Sequence, residues 1–488
     1  MSNDAGLEFS THQTLPWFWR SLELNNRTAS EIFGALFAQS AIATLLESPA
    51  IADPEYPQLA RFSICAGSPR ILDGQTKLWT PPVGKILPFL RSLLQQKNVN
   101  NSQVAHLPFT GGWLGWLGYD LAWEIECLPS LNQDNLPFPV AYWYEPECFA
   151  VLDHVEQTLW LAATHSSQLD NLLVKLSAYQ AISPVCLKSD KHLCESSSRN
   201  PTSQINFLTN QQQYQQAVTQ AKKYIQAGDI FQTNLSLRFQ TETNIDSWKI
   251  YQQLQQINPS PFASYWRSPW GDMISCSPER LVSLEDNLAQ TRPIAGTRRR
   301  GHDAANDHAL AAELLTNQKE RAEHIMLVDL ERNDLGRVCE WGSVKVDELL
   351  AVERYSHVMH LVSNIQGILK ADCDGIDLIR GVFPGGTISG CPKVRCLEII
   401  EELEPVRRSL FYGSCGYLDL QGNLDLNILI RTLLCVKSTD SNTAQVYGQV
   451  GAGIVADSDP EREWYESLNK AEAQIAALQS NIAKAIPG

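Results

Sequence analysis

The chain has 488 residues, with 39 Lys and Arg against 54 Asp and Glu and a formal net charge of −15. Its overall field therefore repels nucleic acid, and only a strong local basic patch would overcome that. Its 44% hydrophobic and 19% charged residues make a folded globular composition, long enough for two or three ordinary domains or one composite one. No stretch reaches the ~18 apolar residues of a bilayer span. The opening "MSNDAGLEFSTHQTLPWFWR" lacks a basic segment leading into an apolar core. The 12 cysteines form no Cys-x-x-Cys pair and no zinc-spaced Cys/His cluster. These features predict reduced thiols in a cytoplasmic protein with no nucleic-acid or membrane partner.

Residues 14–180 are rich in tryptophan and proline, and runs such as "PVAYWYEPECFAVLDHVEQTLWLAA" partly alternate in the manner of strands. Residues 181–211 are polar, rich in Ser, Asn and Gln, and read as a linker. Residues 212–478 read as a mixed α and β domain. Here "QQYQQAVTQAKKYIQAGD" predicts a helix stopping at Gly228, and "HALAAELLTNQKERAEHIMLVDLERN" one long helix. "CPKVRCLEIIEELEP" places Pro392 near a helix start, and "DSDPEREWYESL" offers Asp459 as N-cap with Pro460 at the first helical position. "FASYWR", "MISCSPERLVSL", "HLVSNIQGIL", "LNILIRTLLCV" and "AQVYGQVGAGIV" read as strands. Strands and helices do not alternate regularly, which predicts a mixed sheet rather than a doubly wound parallel one.

Two helices carry acids three residues apart: Glu320 with Glu323, and Glu463 with Glu466. Such pairs share a helix face, and two facing pairs would make a hard oxygen site for Mg²⁺. On spacing alone the simpler reading is a pair of solvated faces with ordinary ion pairs such as Glu466–Lys470. "FPGGTISGCPK", "VGAGIVADSDP" and "PIAGT" are glycine-rich turns at helix starts or strand ends, each a tight turn or an anion cradle. Arg431, within the apolar run "LNILIRTLL", needs a partner that a carboxylate substrate would supply. His360 is a proton donor or a satisfied structural histidine. "TRPIAGTRRRG" concentrates four arginines, too few for a nucleic-acid groove.

These same segments resemble, in order and spacing, the chorismate-utilising enzymes: anthranilate synthase component I, aminodeoxychorismate synthase component I, and the isochorismate and salicylate synthases. The resemblance runs from about residue 212 to 475 and extends to "TLLES", "ARFSICAG" and "FTGGWLGWLGYDLAWEIECLP" near the N-terminus. It implies an α+β fold of two stacked, mostly antiparallel sheets surrounded by helices, with the N-terminal region in the same body. It also implies Mg²⁺ bound by Glu323 and Glu466, with Glu320 and Glu463 supporting. Arg431, Lys470, Gly453, Gly386, Thr387 and Tyr417 would bind chorismate. His360 and Glu279 would handle protons, beside a wall that includes Thr297 and Ala295. Glu47 and Ser48 would line a tryptophan pocket against the strand at "NPSPF".

In the water-adding members a lysine stands where this chain has Gln232, so the resemblance implies amination. No segment here resembles an amidotransferase nucleophile elbow, so ammonia would come from a separate glutamine amidotransferase subunit. Ala295, where many aminodeoxychorismate synthases carry lysine, matches the anthranilate synthases. "QTNLSLRF", "FASYW", "SPER" and "RRSLFYGSCGYL", with Phe411 at the place of the anthranilate synthase tyrosine, match the aminodeoxychorismate branch. The reading adopted is 4-amino-4-deoxychorismate formation, with anthranilate formation as the alternative. A silent tryptophan-binding paralogue is a third reading, disfavoured because every metal and acid–base position is present. Residues 298–300 would lie on a solvated flank or face the ammonia-delivering partner.

Overall fold

A computed structural model describes residues 17–48, 60–95, 104–179, 205–355, 358–438 and 443–479. Two large sheets, of twelve and ten strands, dominate it. Among the described residues the strands in both pair antiparallel throughout (for example Gln232–Thr243 with Ala444–Ile454), so the expected mixed sheet is corrected to a wholly antiparallel one. Both sheets draw on both halves of the chain. In the first, Ala43–Glu47 pairs with Phe262–Ser268, bringing Glu47 opposite Ala263. In the second, Gly112–Leu117 pairs with Ser414–Asp419. The tryptophan-rich character of the N-terminal half follows from this layout. Trp113, Trp116 and Trp143 from the second sheet and Trp266 from the first are all fully buried in one apolar cluster between the layers, where large aromatic rings supply much of the buried area. Helices cover the outer face of the first sheet through a second cluster that includes Tyr214, Tyr251, Leu254 and Ala471.

The elements that build the site come from the second half. Helix α1 (Gln211–Ala227) has a capping box made by Asn210 and Gln213 and ends at Gly228, whose φ of 82° is the left-handed cap expected there. The preceding segment, placed in the linker by composition, already contains the short strand Asn206–Phe207; residues 181–204 lie outside the described part. Strand β1 (Gln232–Thr243) follows in the first sheet. Strands β2 (Gly271–Ser277) and β3 (Arg280–Glu285) lie in different sheets, so the chain crosses between layers at Pro278 and Glu279. Strand β4 (Ile294–Arg299) forms an edge of the second sheet.

The single long helix expected next is two, α2 (Ala304–Thr316) and α3 (Gln318–Val338). Asn317 ends one and caps the other, its side chain accepting from the Glu320 N–H at 3.1 Å. A short amide side chain competes with the helical backbone in this way, and apolar periodicity does not register it. Strand β5 (Val358–Ile368) pairs with β4, and helix α4 (Lys393–Leu403) takes Pro392 as its N-cap.

The run "LNILIRTLLCV", expected to be one strand, is also two. Strand β6 (Leu424–Asn427) belongs to the second sheet and β7 (Thr432–Lys437) to the first. Arg431 therefore sits in the crossing, at a φ of 50°, and not within a strand. The apolar pattern continues because both layers are buried. Strand β8 (Ala444–Ile454) and helix α5 (Pro460–Gln479) complete the fold, with Asp459 Oδ1 accepting from the N–H groups of Glu461 and Arg462 as its cap.

Candidate active site

The two layer crossings lie side by side. Ile428 N–H donates to the Glu279 carbonyl at 3.0 Å, and Cys276 N–H donates to the Arg431 carbonyl at 3.3 Å. This seam fixes the backbone of both residues. Glu279 is buried, with the Ile294 N–H 3.5 Å from Oε1 and the Thr387 hydroxyl beside it. Burial raises its pKa to about 7, against the lowering effect of those two neighbours. Thr387 belongs to the short turn Gly386–Ser389, and a Cβ on Gly386 would stand 2.6 Å from Leu330 Cδ2, so a larger residue there would have to displace that side chain.

Strand β4 reaches the seam through a bulge. Ala295 pairs with Leu361 and Thr297 with His360, leaving Gly296, at a φ of 57°, as the extra residue. The bulge turns Thr297 Oγ1 to within 2.9 Å of His360 Nδ1. Burial, and then the nearby Arg431 charge, lower the His360 pKa to about 3. The ring is therefore neutral at pH 7. A neutral ring can accept a proton as well as hydrogen-bond to Thr297. Arg431 donates to Asn258 Oδ1, and among the described residues no carboxylate pairs with it. Burial alone pulls its pKa down, as for a cation awaiting an anion.

The four acids stand on α3 and α5. Glu323 Oε1 accepts from Gln232 Nε2 at 2.9 Å, over Gly453, where a Cβ would be 2.6 Å from that nitrogen. Glu466 pairs with Lys470 at 2.9 Å, and Lys470 also donates to the Gly451 carbonyl at 3.0 Å. Burial raises Glu463, and the Glu466 charge adds to the rise. Burial likewise raises Glu323, again with a contribution from Glu466. Glu320 Oε2 is buried without a hydrogen-bond donor. Among the described residues no three His, Cys, Asp or Glu side chains converge in metal-binding geometry. Even so, the donors are hard oxygens, the Glu466 charge opposes those of Glu323 and Glu463, and one oxygen of Glu320 is orphaned. A hard divalent cation would suit such donors, with Glu323 and Glu466 as the candidate ligands and Glu320 and Glu463 as supporting residues.

Other expectations change. Of residues 298–300, only Arg299 is solvated, at 89% side-chain exposure; Arg298 pairs with Glu313 and Glu320, and Arg300 with Asp307. Tyr417 lies apart from the group. Its ring packs on Phe109 at 5.6 Å, with Asp425, Arg280 and Asp419 as charged neighbours rather than Glu279 or His360. Glu47 is buried, and its Oε1 accepts from Ser30 and Gln255 at 2.8 Å and from Tyr251. Ser48 Oγ is buried without a partner. Residues 258–261 of "NPSPF" form a loop, and the strand begins at Phe262.

One residue was missed from the sequence. Glu331 is buried on α3, its pKa raised to about 8 by burial and then by the charges of Glu279 and Asp334, against a lowering contact with Thr291. Asp334 in turn pairs with Lys393 at 2.8 Å. The available signal was position: Glu331 falls on the same face as Leu327, Val328 and Leu335, where a charge is out of place.

The profile of the chorismate binding enzymes matches residues 52–476. The chain belongs to that family. Among its relatives is an anthranilate synthase component I-like protein of Synechocystis, 61% identical over 95% of this chain and 92% of the relative. The aminodeoxychorismate synthase component 1 of Bacillus subtilis is 46% identical over 76% and 77%. The same Synechocystis strain also has an anthranilate synthase component 1, 40% identical over 84% and 83%. The crystal structure of anthranilate synthase component I from Streptococcus pneumoniae superposes with a TM-score of 0.71 at 31% identity, over 85% of this chain and 92% of that one. The two stacked antiparallel sheets are thus the architecture this chorismate-binding enzyme shares with it. No described helix is long and apolar enough to cross a membrane.

Proposed function

We propose that this chorismate-binding enzyme aminates chorismate at C4, giving 4-amino-4-deoxychorismate with ammonia delivered by a separate glutamine amidotransferase subunit. The observation that carries amination is Gln232. Its Nε2 is committed to Glu323 over Gly453, and a carboxamide cannot deprotonate water, so the nucleophile must arrive already reactive. Ammonia meets that need. Glu279, which titrates near 7 and so keeps a protonated fraction at neutral pH, donates to the departing 4-hydroxyl, which leaves as water, and the carboxylate left behind takes the proton the entering ammonia gives up. Arg431 and Lys470, with the backbone at Gly453 and Thr387, hold the substrate's carboxylates and enolpyruvyl group. Mg²⁺ on Glu323 and Glu466 would bind the ring carboxylate and polarise the ring.

The relatives carry both names: the B. subtilis aminodeoxychorismate component is 46% identical, and the Synechocystis protein at 61% is named anthranilate synthase component I-like. The C4 reading rests on the segments "QTNLSLRF" and "RRSLFYGSCGYL", with Phe411 at the place of the anthranilate synthase tyrosine. With the buried Ala295 where a lysine would stand, no covalent lysine adduct forms and ammonia attacks the ring directly. Ala295 also favours a second reading, anthranilate formation with release of pyruvate. Incubating the purified chain with chorismate, Mg²⁺ and excess ammonium separates the two. The proposal expects p-aminobenzoate only after an aminodeoxychorismate lyase is added; fluorescent anthranilate and pyruvate without the lyase would establish the second reading instead.

A further inference from the structure

Asn258 ends the helix Ser247–Ile257, its N–H donating to the Leu254 carbonyl at 2.8 Å. The two ends of its half-buried side chain serve different partners. Nδ2 donates to the Cys276 carbonyl at 3.2 Å and to Ser260 Oγ at 3.1 Å, while the Ser260 hydroxyl donates to the Asn258 carbonyl at 3.2 Å. With two acceptors fixing the nitrogen side, Oδ1 points the other way, and there it accepts from Arg431 Nη1. The contact closes a circuit. Cys276 on β2 accepts the Asn258 amide on its carbonyl and gives its own N–H to the Arg431 carbonyl at 3.3 Å. One carboxamide thus holds Arg431 twice, at the guanidinium directly and at the main chain through β2. That main chain lies at a φ of 50°, in the left-handed region that a residue bearing a Cβ rarely occupies. The guanidinium it carries is close enough to His360 for its charge to act on that ring.

We propose that Asn258 is a positioning residue for Arg431, aiming the guanidinium at a substrate carboxylate without cancelling its charge. This inference rests on Arg431 binding that carboxylate, as in the proposed function. The residue type is what matters. A carboxylate at 258 would grip the fork more strongly, but it would neutralise the cation and compete with the incoming anion. An apolar side chain would leave the guanidinium free to rotate. A neutral acceptor takes one N–H of a group that has five and leaves the positive charge for the substrate. Because Asn258 acts only through Arg431, its contribution to binding disappears once the guanidinium is gone, which a residue that merely supports the fold would not show.

The test is calorimetric titration of chorismate into the full chain with MgCl₂ and no ammonium, so that no amination occurs. Asn258→Ala is expected to bind about tenfold more weakly than wild type, the scale of a lost hydrogen bond to a charged group, and Arg431→Gln about 10²-fold more weakly. The double variant should bind as Arg431→Gln alone does, within about twofold. In steady-state assays at saturating chorismate, the KM for ammonium should stay within about twofold of wild type in Asn258→Ala, because the guanidinium serves the carboxylate and not the nucleophile. Wild-type chorismate affinity in Asn258→Ala, a loss that multiplies with that of Arg431→Gln, or an equal rise in the KM for ammonium overturns the inference and leaves the role of Arg431 standing. Wild-type affinity in Arg431→Gln removes that role and the inference with it. Should Asn258→Ala fail to fold, Asn258→Asp, of the same shape, carries the test: it should bind chorismate at least tenfold more weakly, and wild-type affinity in it overturns the inference.

Discussion

The layer seam and the acid rim, two adjacent parts of one site, prepare for ligands in opposite ways. At the seam, Glu279 and Arg431 sit on crossings of the main chain, and the site there gathers an acid that titrates near 7, an uncharged histidine and a guanidinium that pairs with no carboxylate among the described residues. At the rim, four acids stand on two helices, and three of them, Glu323, Glu320 and Glu466, are held by Gln232, Arg298 and Lys470. The seam is set by backbone geometry, the rim by side-chain partners. In the proposed reaction a carboxylate substrate meets the seam's guanidinium, and a divalent metal the rim's acids.

The largest effect expected is at the seam. Glu279→Gln should lower kcat by roughly 10³-fold, the scale of a lost general acid. In the wild type, at constant free ammonia, kcat should fall as pH rises through about 7, where Glu279 loses its proton. A flat profile would remove Glu279 from that role. Arg431→Gln should lower kcat/KM by about 10²-fold, the scale of a lost charged contact, without lowering the melting temperature, because among the described residues no carboxylate pairs with the cation. A large fall in stability would mean that Arg431 is structural.

A smaller effect tests the boundary between the two parts, where Glu331 sits. Its folded pKa of about 8 lies above the ordinary glutamate value, so the native state holds an extra proton between about pH 4.5 and 8, and that residue's contribution to stability declines as pH rises through that window. Glu331→Gln should therefore raise the melting temperature at pH 8 by about 2 °C or more and leave it unchanged at pH 4. Equal shifts at both pH values would contradict the buried protonated state. The smallest effect is expected for Tyr417→Phe, whose ring faces Phe109; kcat/KM should stay within about twofold, and a tenfold fall would return Tyr417 to the site.

Much of this was legible in the sequence because residue type and short-range spacing carry it. The acid pairs three apart, the glycine cap at 228 and the Asp459–Pro460 helix start are local signals, and the structure has each of them. What was hidden depends on which layer a segment enters. Strands β6 and β7 form one unbroken apolar run because both sheets bury their inner faces, so the crossing at Arg431 leaves no mark in the pattern. The Gly296 bulge is a one-residue register change, and glycine there has many simpler explanations. Asn317 divides a helix through a single side-chain hydrogen bond that periodicity cannot see. Tyr417 shares its motif with site residues but is partly buried with its ring against Phe109.

The sharing of both sheets between the two halves of the chain has a consequence for how the protein is made. During synthesis, Ala43–Glu47 is complete long before its neighbour Phe262–Ser268, and Gly112–Leu117 long before Ser414–Asp419. Until most of the chain has left the ribosome, the N-terminal strands expose apolar, tryptophan-rich edges with nothing to pair against. Folding, dominated by such distant pairings, is therefore expected to be slow, and the nascent chain to be prone to aggregate until its last strands arrive.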